Sequence, residues 1–259
     1  MRIPLYQVDA FTQRVFHGNP AAVCPLEQWL DDKQLQSIAA ENNLPETAYI
    51  VRQGEQYEIR WFTPEQEIDL CGHATLASAF VIFRHLEPQR MAVTFHSKSG
   101  SLPVTKDGDR VCLDFPARAP AACSVSDGLL TALGGNPKEV LCSRDYLVVY
   151  DSEKELRSLQ PDMAALKRLD RLGVIVTAAS TTVDFVSRFF APGAGIPEDP
   201  VTGSAHCTLI PYWARRLDKM QLHALQVSQR GGELFCELRK DRVRIAGHAV
   251  QYLAGSIEI

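Results

Sequence analysis

The sequence predicts an α+β protein built from two similar halves, and two observations carry that prediction. Alternating or β-branched apolar runs follow one another consecutively with few helical segments between them, which separates the chain from a doubly wound βαβ architecture. The segment Cys71-Gly-His-Ala-Thr-Leu-Ala-Ser-Ala-Phe80 is also echoed by Thr202-Gly-Ser-Ala-His-Cys-Thr-Leu-Ile-Pro211. Each is read as a glycine opening an alanine-rich helix, and the two glycines, Gly72 and Gly203, lie roughly half the chain apart, as a duplicated domain would place them.

In chain order, strands are expected at 4–11, 47–52, 57–62, 92–96, 111–115, 146–150, 174–177, 183–190, 224–228, 234–238 and 243–245. Helices are expected at 31–41, where an acidic start precedes Leu35, Ile38 and Ala39; at 72–84, where Leu76, Ala79 and Phe80 recur at helical spacing; and after Gly203. The proline- and alanine-rich stretch at 116–121 lacks apolar periodicity and reads as a boundary. The expected domains are therefore 1–116 and 117–259, with the final strand able to return to the first.

Composition narrows the function. A chain of 259 residues with 46% hydrophobic and 22% charged residues can bury a real core. Its net charge of -4 offers no excess of cations for phosphates, so small molecules rather than nucleic acid are the expected partners. No apolar run reaches the roughly 18–20 residues of a membrane span, and the N-terminal segment lacks the layout of a secretory signal, so no membrane partner and a cytoplasmic location are expected. The seven cysteines are scattered without a CxxC pair and the seven histidines form no HExxH, so reduced core thiols and no metal are expected. No GxGxxG or GxxxxGK[ST] opens a helix, which argues against nucleotide binding.

Three segments can carry chemistry. Glu46 follows a loop proline and precedes an apolar strand; a half-buried carboxylate there becomes a stronger base, as abstraction of a carbon-bound proton requires. Its alternative is a solvated turn. Gly72 and His73 sit at a helix start, where unpaired N–H groups attract anions and an imidazole can hold an oxygen or return a proton. The third segment, 191–205, packs glycines, prolines, Glu198, Asp199, Thr202 and Ser204 ahead of a helix and again offers N–H groups, from Gly203 and Ser204, to a carboxylate. Here Asp199 or Thr202 could instead simply cap the helix. If the duplication is real, both helix starts face one cleft.

Taken with Val8-Asp-Ala-Phe11, Gly18-Asn-Pro-Ala-Ala-Val23, Asn43-Leu-Pro-Glu-Thr-Ala48, Arg188-Phe-Phe-Ala-Pro192 and Gly231-Gly232, these segments resemble the PhzF family, relatives of diaminopimelate epimerase, over nearly the whole chain. The resemblance implies a diaminopimelate epimerase-like fold of two pseudo-symmetric domains, each a barrel-like sheet around a central helix. It implies a homodimer and a cofactor-independent isomerase that moves a proton on a small carboxylate-bearing carbon acid. By motif, Glu46 matches the family's catalytic glutamate, and His73, Asp199 and Ser204 match polar residues around the substrate. Gly72 and Gly203 match the helix-start glycines, and Asn19 falls within a matched motif as a substrate-binding residue. Epimerases of this kind use two cysteines. Cys71 occupies the first position, but Pro200 stands at the second, which disfavours a two-thiol racemase. A racemase pairing Cys71 with a carboxylate, and a binding protein without turnover, are the alternatives.

Overall fold

Asn43, in the left-handed region at φ 48°, ends the first helix and sends the chain straight into a strand that begins at Glu46, so the turn chemistry of one short loop sets where that carboxylate stands. The computed structural model describes residues 1–259. From the N-terminus come β1 (Arg2–Ala10), β2 (Asn19–Leu26), α1 (Asp32–Asn42), β3 (Glu46–Gln53), β4 (Gln56–Phe62), β5 (Glu67–Ile68), α2 (Gly72–Val81), β6 (Ala92–Ser97), β7 (Gly100–Asp107) and β8 (Arg110–Pro116). They are followed by α3 (Leu129–Leu133), β9 (Glu139–Cys142), β10 (Tyr146–Val149), α4 (Glu153–Ser158), α5 (Met163–Leu166), β11 (Val174–Ala179) and β12 (Phe185–Phe190). Last come α6 (Gly203–Leu217), β13 (Gln221–Gln226), β14 (Gly232–Arg239), β15 (Arg242–Gly247) and β16 (Ala249–Glu258).

Two units divide the chain: residues 1–114 with 245–259, and residues 115–244. In the first, the strand order is β16-β1-β2-β3-β4-β6-β7-β8, with β5 on β4. The C-terminal strand β16 runs antiparallel to β1, pairing Arg2 with Glu258 and Ala10 with Ala249. α2 packs against β1, β2, β3 and β16, and because residues His73 to Ala79 are all buried it has no polar face. Beyond Val81 it relaxes into one π turn at Ile82–Leu86, so the expected 72–84 helix is regular only in its first part. α1 is fixed by Asp31, whose carboxylate accepts the Gln34 N–H at 2.9 Å.

The second unit orders its strands β15-β14-β13-β12-β11-β10-β9. Tyr146, Val148, Val174, Val176, Val186 and Phe190 fill its core together with Leu156 of α4. On α6, Trp213 stacks on Phe185 at 5.6 Å and donates its indole N–H to Thr177 Oγ1 at 2.9 Å. Pro211 lies inside α6, where a proline ordinarily costs about 3 kcal/mol. The Cys207 carbonyl that residue 211 would normally bond instead accepts the Arg118 N–H at 2.8 Å, so the orphaned acceptor is satisfied.

No helix is long and apolar enough to cross a membrane. Strands β2, β5, β7, β9 and β16 and helices α3, α4 and α5 go beyond the sequence expectation, and β5, β9 and these helices span too few residues to show a period. β2 and β7 carry prolines (Pro20 and Pro25, Pro103), which demote a strand reading, and β16 is uncharged up to Glu258 without clean alternation. β13 begins earlier than expected, at Gln221.

Candidate active site

The register of the first unit explains its polar cluster. β1 pairs Ala10 with Asn19, and the parallel β2–β3 pair sets Ala21 opposite Glu46. Asn19 and Ala21 are two residues apart on one strand, so Asn19 and Glu46 share a face. Gly18, at φ +65°, makes the approach possible: a Cβ there would stand 2.1 Å from the Ala10 carbonyl oxygen. α2 brings His73 to these residues from its first turn.

His73 Nε2 lies 2.9 Å from Glu46 Oε2, with both side chains over nine-tenths buried. On the other side of the ring, the Asn19 side-chain amide is 3.1 Å and Cys71 Sγ 3.5 Å from Nδ1; facing a protonated Nδ1, the amide turns its oxygen to the ring and accepts. Burial opposes charge on the imidazole, but the Cys71 sulfur and the Glu46 carboxylate outweigh it and hold the His73 pKa well above the usual range. Burial also pushes the Cys71 thiol up to about 11, so at neutral pH the sulfur is protonated and Glu46 is the charge that holds the imidazolium. The result is a carboxylate and an imidazolium, both shielded from bulk water and one proton hop apart.

Donor atoms of Glu46, Cys71 and His73 all lie within 4.8 Å of one another, so these three residues are the ones that could hold a metal ion. Glu46 is remote from Cys71 in sequence, which is why no motif announced the cluster. Asn19, expected to touch substrate, has no exposed surface and directs its amide at His73. At the start of α2 the N-cap residue Cys71 makes no side-chain capping bond.

In the second unit the structure separates the two acids of segment 191–205. Glu198 is structural: Arg188 grips it through bonds of 2.7 and 3.0 Å and also donates to the Leu159 carbonyl. Asp199 differs. Its Oδ2 accepts the Thr202 hydroxyl at 2.5 Å, so Thr202 spends its side chain on Asp199 and leaves the start of α6 without a side-chain cap. Gln226, which sequence reasoning passed over, holds both through three bonds. A polar residue at the end of a strand gives no sequence signal of such a role.

Ser204, in the first turn of α6, accepts a bond of 3.0 Å from Arg144, whose guanidinium is anchored on the buried Asp145 at 2.8 Å. With a lone pair of Ser204 occupied, its proton is available to an acceptor. Arg144 was likewise not foreseen, because an exposed turn arginine carries no motif. Gly203 is buried at the helix start.

The strand-rich α+β fold is one shared with epimerase-like proteins. The hydroxyproline epimerase of Agrobacterium vitis shares the fold at a TM-score of 0.62 and 13% identity, over 99% of this chain and 92% of that one. The chain belongs to the PhzF family: the family model described as phenazine biosynthesis-like protein matches residues 8–255. An uncharacterized isomerase of Pseudomonas aeruginosa is 52% identical over the full length of both chains. The human phenazine biosynthesis-like domain-containing protein is 40% identical over 99% of each chain. A PhzF family crystal structure from Enterococcus faecalis superposes at a TM-score of 0.98, with 49% identity and complete coverage of both chains.

Proposed function

We propose that the protein is a cofactor-independent isomerase that shifts a proton between carbons of a small, carboxylate-bearing carbon acid, with Glu46 as the acid/base. The observation that carries this reading is the buried Glu46–His73 pair at 2.9 Å, oriented from behind by Asn19. Glu46 removes a proton from carbon, the electron pair delocalises into the conjugated acid as an enolate, and the same proton returns at a vinylogous carbon. No electrons leave the substrate and no group is transferred. His73, as an imidazolium, stabilises developing negative charge and can return a proton, and Asp199 is the second proton carrier. Each unit offers an anion its own helix start, the N–H groups that follow Gly72 in the first and Ser204 with those that follow Gly203 in the second, which makes small anionic metabolites the ligands. The homodimer and the cytoplasmic location implied by the resemblance belong to the same reading.

A second reading is favoured by one observation: Cys71 Sγ is 3.5 Å from His73 Nδ1, so a second proton carrier adjoins the first. That arrangement suits a racemase pairing Cys71 with Glu46. The test of both is solvent deuterium incorporation, followed by NMR, into a panel of amino acids and dihydroaromatic acids. Exchange lost in Glu46→Gln and kept in Cys71→Ala supports the isomerase; exchange unchanged in Glu46→Gln overturns it.

A further inference from the structure

We propose that Gln226 is a positioning residue for Asp199, acting through the Thr202 hydroxyl, whose direction of donation it sets. This rests on the reading of Asp199 as a proton carrier. Gln226 closes β13 and is 1% exposed. Its Oε1 accepts the Thr202 N–H at 2.8 Å. Its Nε2 donates to the Asp199 carbonyl at 2.8 Å and to Thr202 Oγ1 at 3.1 Å. The amide has one possible orientation, because a backbone N–H can only donate and the atom facing it must be the oxygen.

The hydroxyl follows from the amide. Thr202 Oγ1 accepts a hydrogen bond from Gln226, so its own O–H points elsewhere and donates to Asp199 Oδ2 at 2.5 Å. A carboxylate oxygen that accepts so close a donor is stabilised in its ionised form. Gln226 thus fixes the polarity of Asp199 Oδ2 without touching the carboxylate, while its bond to the Asp199 carbonyl holds the backbone from which that side chain projects. The titratable neighbours along the same loop and helix are Glu198, held by Arg188, and His206, whose Nδ1–H donates to the Thr202 carbonyl at 2.8 Å and whose pKa burial lowers to about 4. Both are unaltered in every variant below.

The relay is tested without substrate. Aspartate carboxyl carbons are labelled with 13C, the Asp199 signal is assigned by its loss in Asp199→Asn, and it is titrated in wild type, Thr202→Val, Gln226→Leu and the double variant. Thr202→Val is expected to raise the Asp199 pKa by about one unit, a tenfold gain in proton affinity. Gln226→Leu is expected to raise it comparably, and the double variant no further than Thr202→Val alone, because the two changes interrupt one chain of bonds. An Asp199 titration unmoved by Gln226→Leu, or shifts that sum in the double variant, overturns the proposal. Should the leucine variant not fold, Gln226→Glu decides: it keeps shape and the Thr202 N–H bond but turns the donor into an acceptor, and an unmoved Asp199 there is equally fatal. Since no substrate enters, the outcome stands apart from whether Glu46→Gln abolishes exchange.

Discussion

Replacing Glu46 with glutamine keeps the shape of the site and removes its negative charge. At 2.9 Å and an effective dielectric constant of about 20, the attraction to the His73 imidazolium is about 6 kcal/mol, which raises the proton affinity of the ring. Burial opposes this attraction in the native protein and acts alone in the variant, so His73 is expected to fall below the ordinary imidazole value of about 6.5. Because the ring can discard its proton, the variant escapes the full 3–5 kcal/mol of a stranded buried charge, and a loss of about 1–2 kcal/mol at pH 7 is expected. The sign of the pH dependence follows from the raised pKa. The pair's contribution to stability is complete below the unfolded value of about 6.5 and disappears as pH rises through the folded value. The gap in thermal stability between wild type and variant therefore narrows as pH climbs above 6.5. Ring 15N chemical shifts give the titration and calorimetry gives the gap. A His73 still protonated at about pH 8 in Glu46→Gln would refute the assignment of Glu46 as its counterion.

Cys71→Ala should leave proton exchange intact, and its thiol in the wild type should resist alkylation until pH nears its value of about 11; rapid labelling at neutral pH would contradict the burial argument. Gly18→Ala combines a left-handed φ of +65° with a Cβ 2.1 Å from a carbonyl oxygen, so urea unfolding should register a loss of about 2–4 kcal/mol, with the Asn19 amide displaced from His73. Arg144→Lys preserves a charge beside Asp145 but cannot also serve Ser204, so the KM of an exchanging carboxylate should rise several-fold with kcat little changed; equal KM values would remove Arg144 from the anion site.

Much of this protein could be read from its residues because its strands alternate and two of its helices open on glycines. The helix after Gly203 and the strand after Glu46 follow from local rules alone. What escaped was long-range. Nothing about Asn19 announces that β2 runs parallel to β3 and sets it on the same face as Glu46, since strand pairing is decided by packing rather than by local preference. The proline-bearing β2 and β7 were hidden by a sound rule whose exceptions depend on which N–H groups the neighbouring strand requires. Gln226 and Arg144 escaped because a positioning residue is defined by what it bonds, and glutamine and arginine occur on every surface. Of the acids in segment 191–205, composition offered two equivalents; only the partners, Arg188 for Glu198 and Thr202 for Asp199, set them apart.

The proline in α6 has a consequence for which substitutions the chain can absorb. Arg118 is tied to the helix through its backbone N–H, and the acceptor exists because residue 211 has no N–H to compete for it. Side chains can therefore change freely at 118, proline excepted, without loosening the tie, whereas at 211 any other residue brings a rival donor and repairs the helix at the expense of that attachment. A mutation that improves helix propensity would here be an untying, with the gain and the loss falling on different segments of the chain.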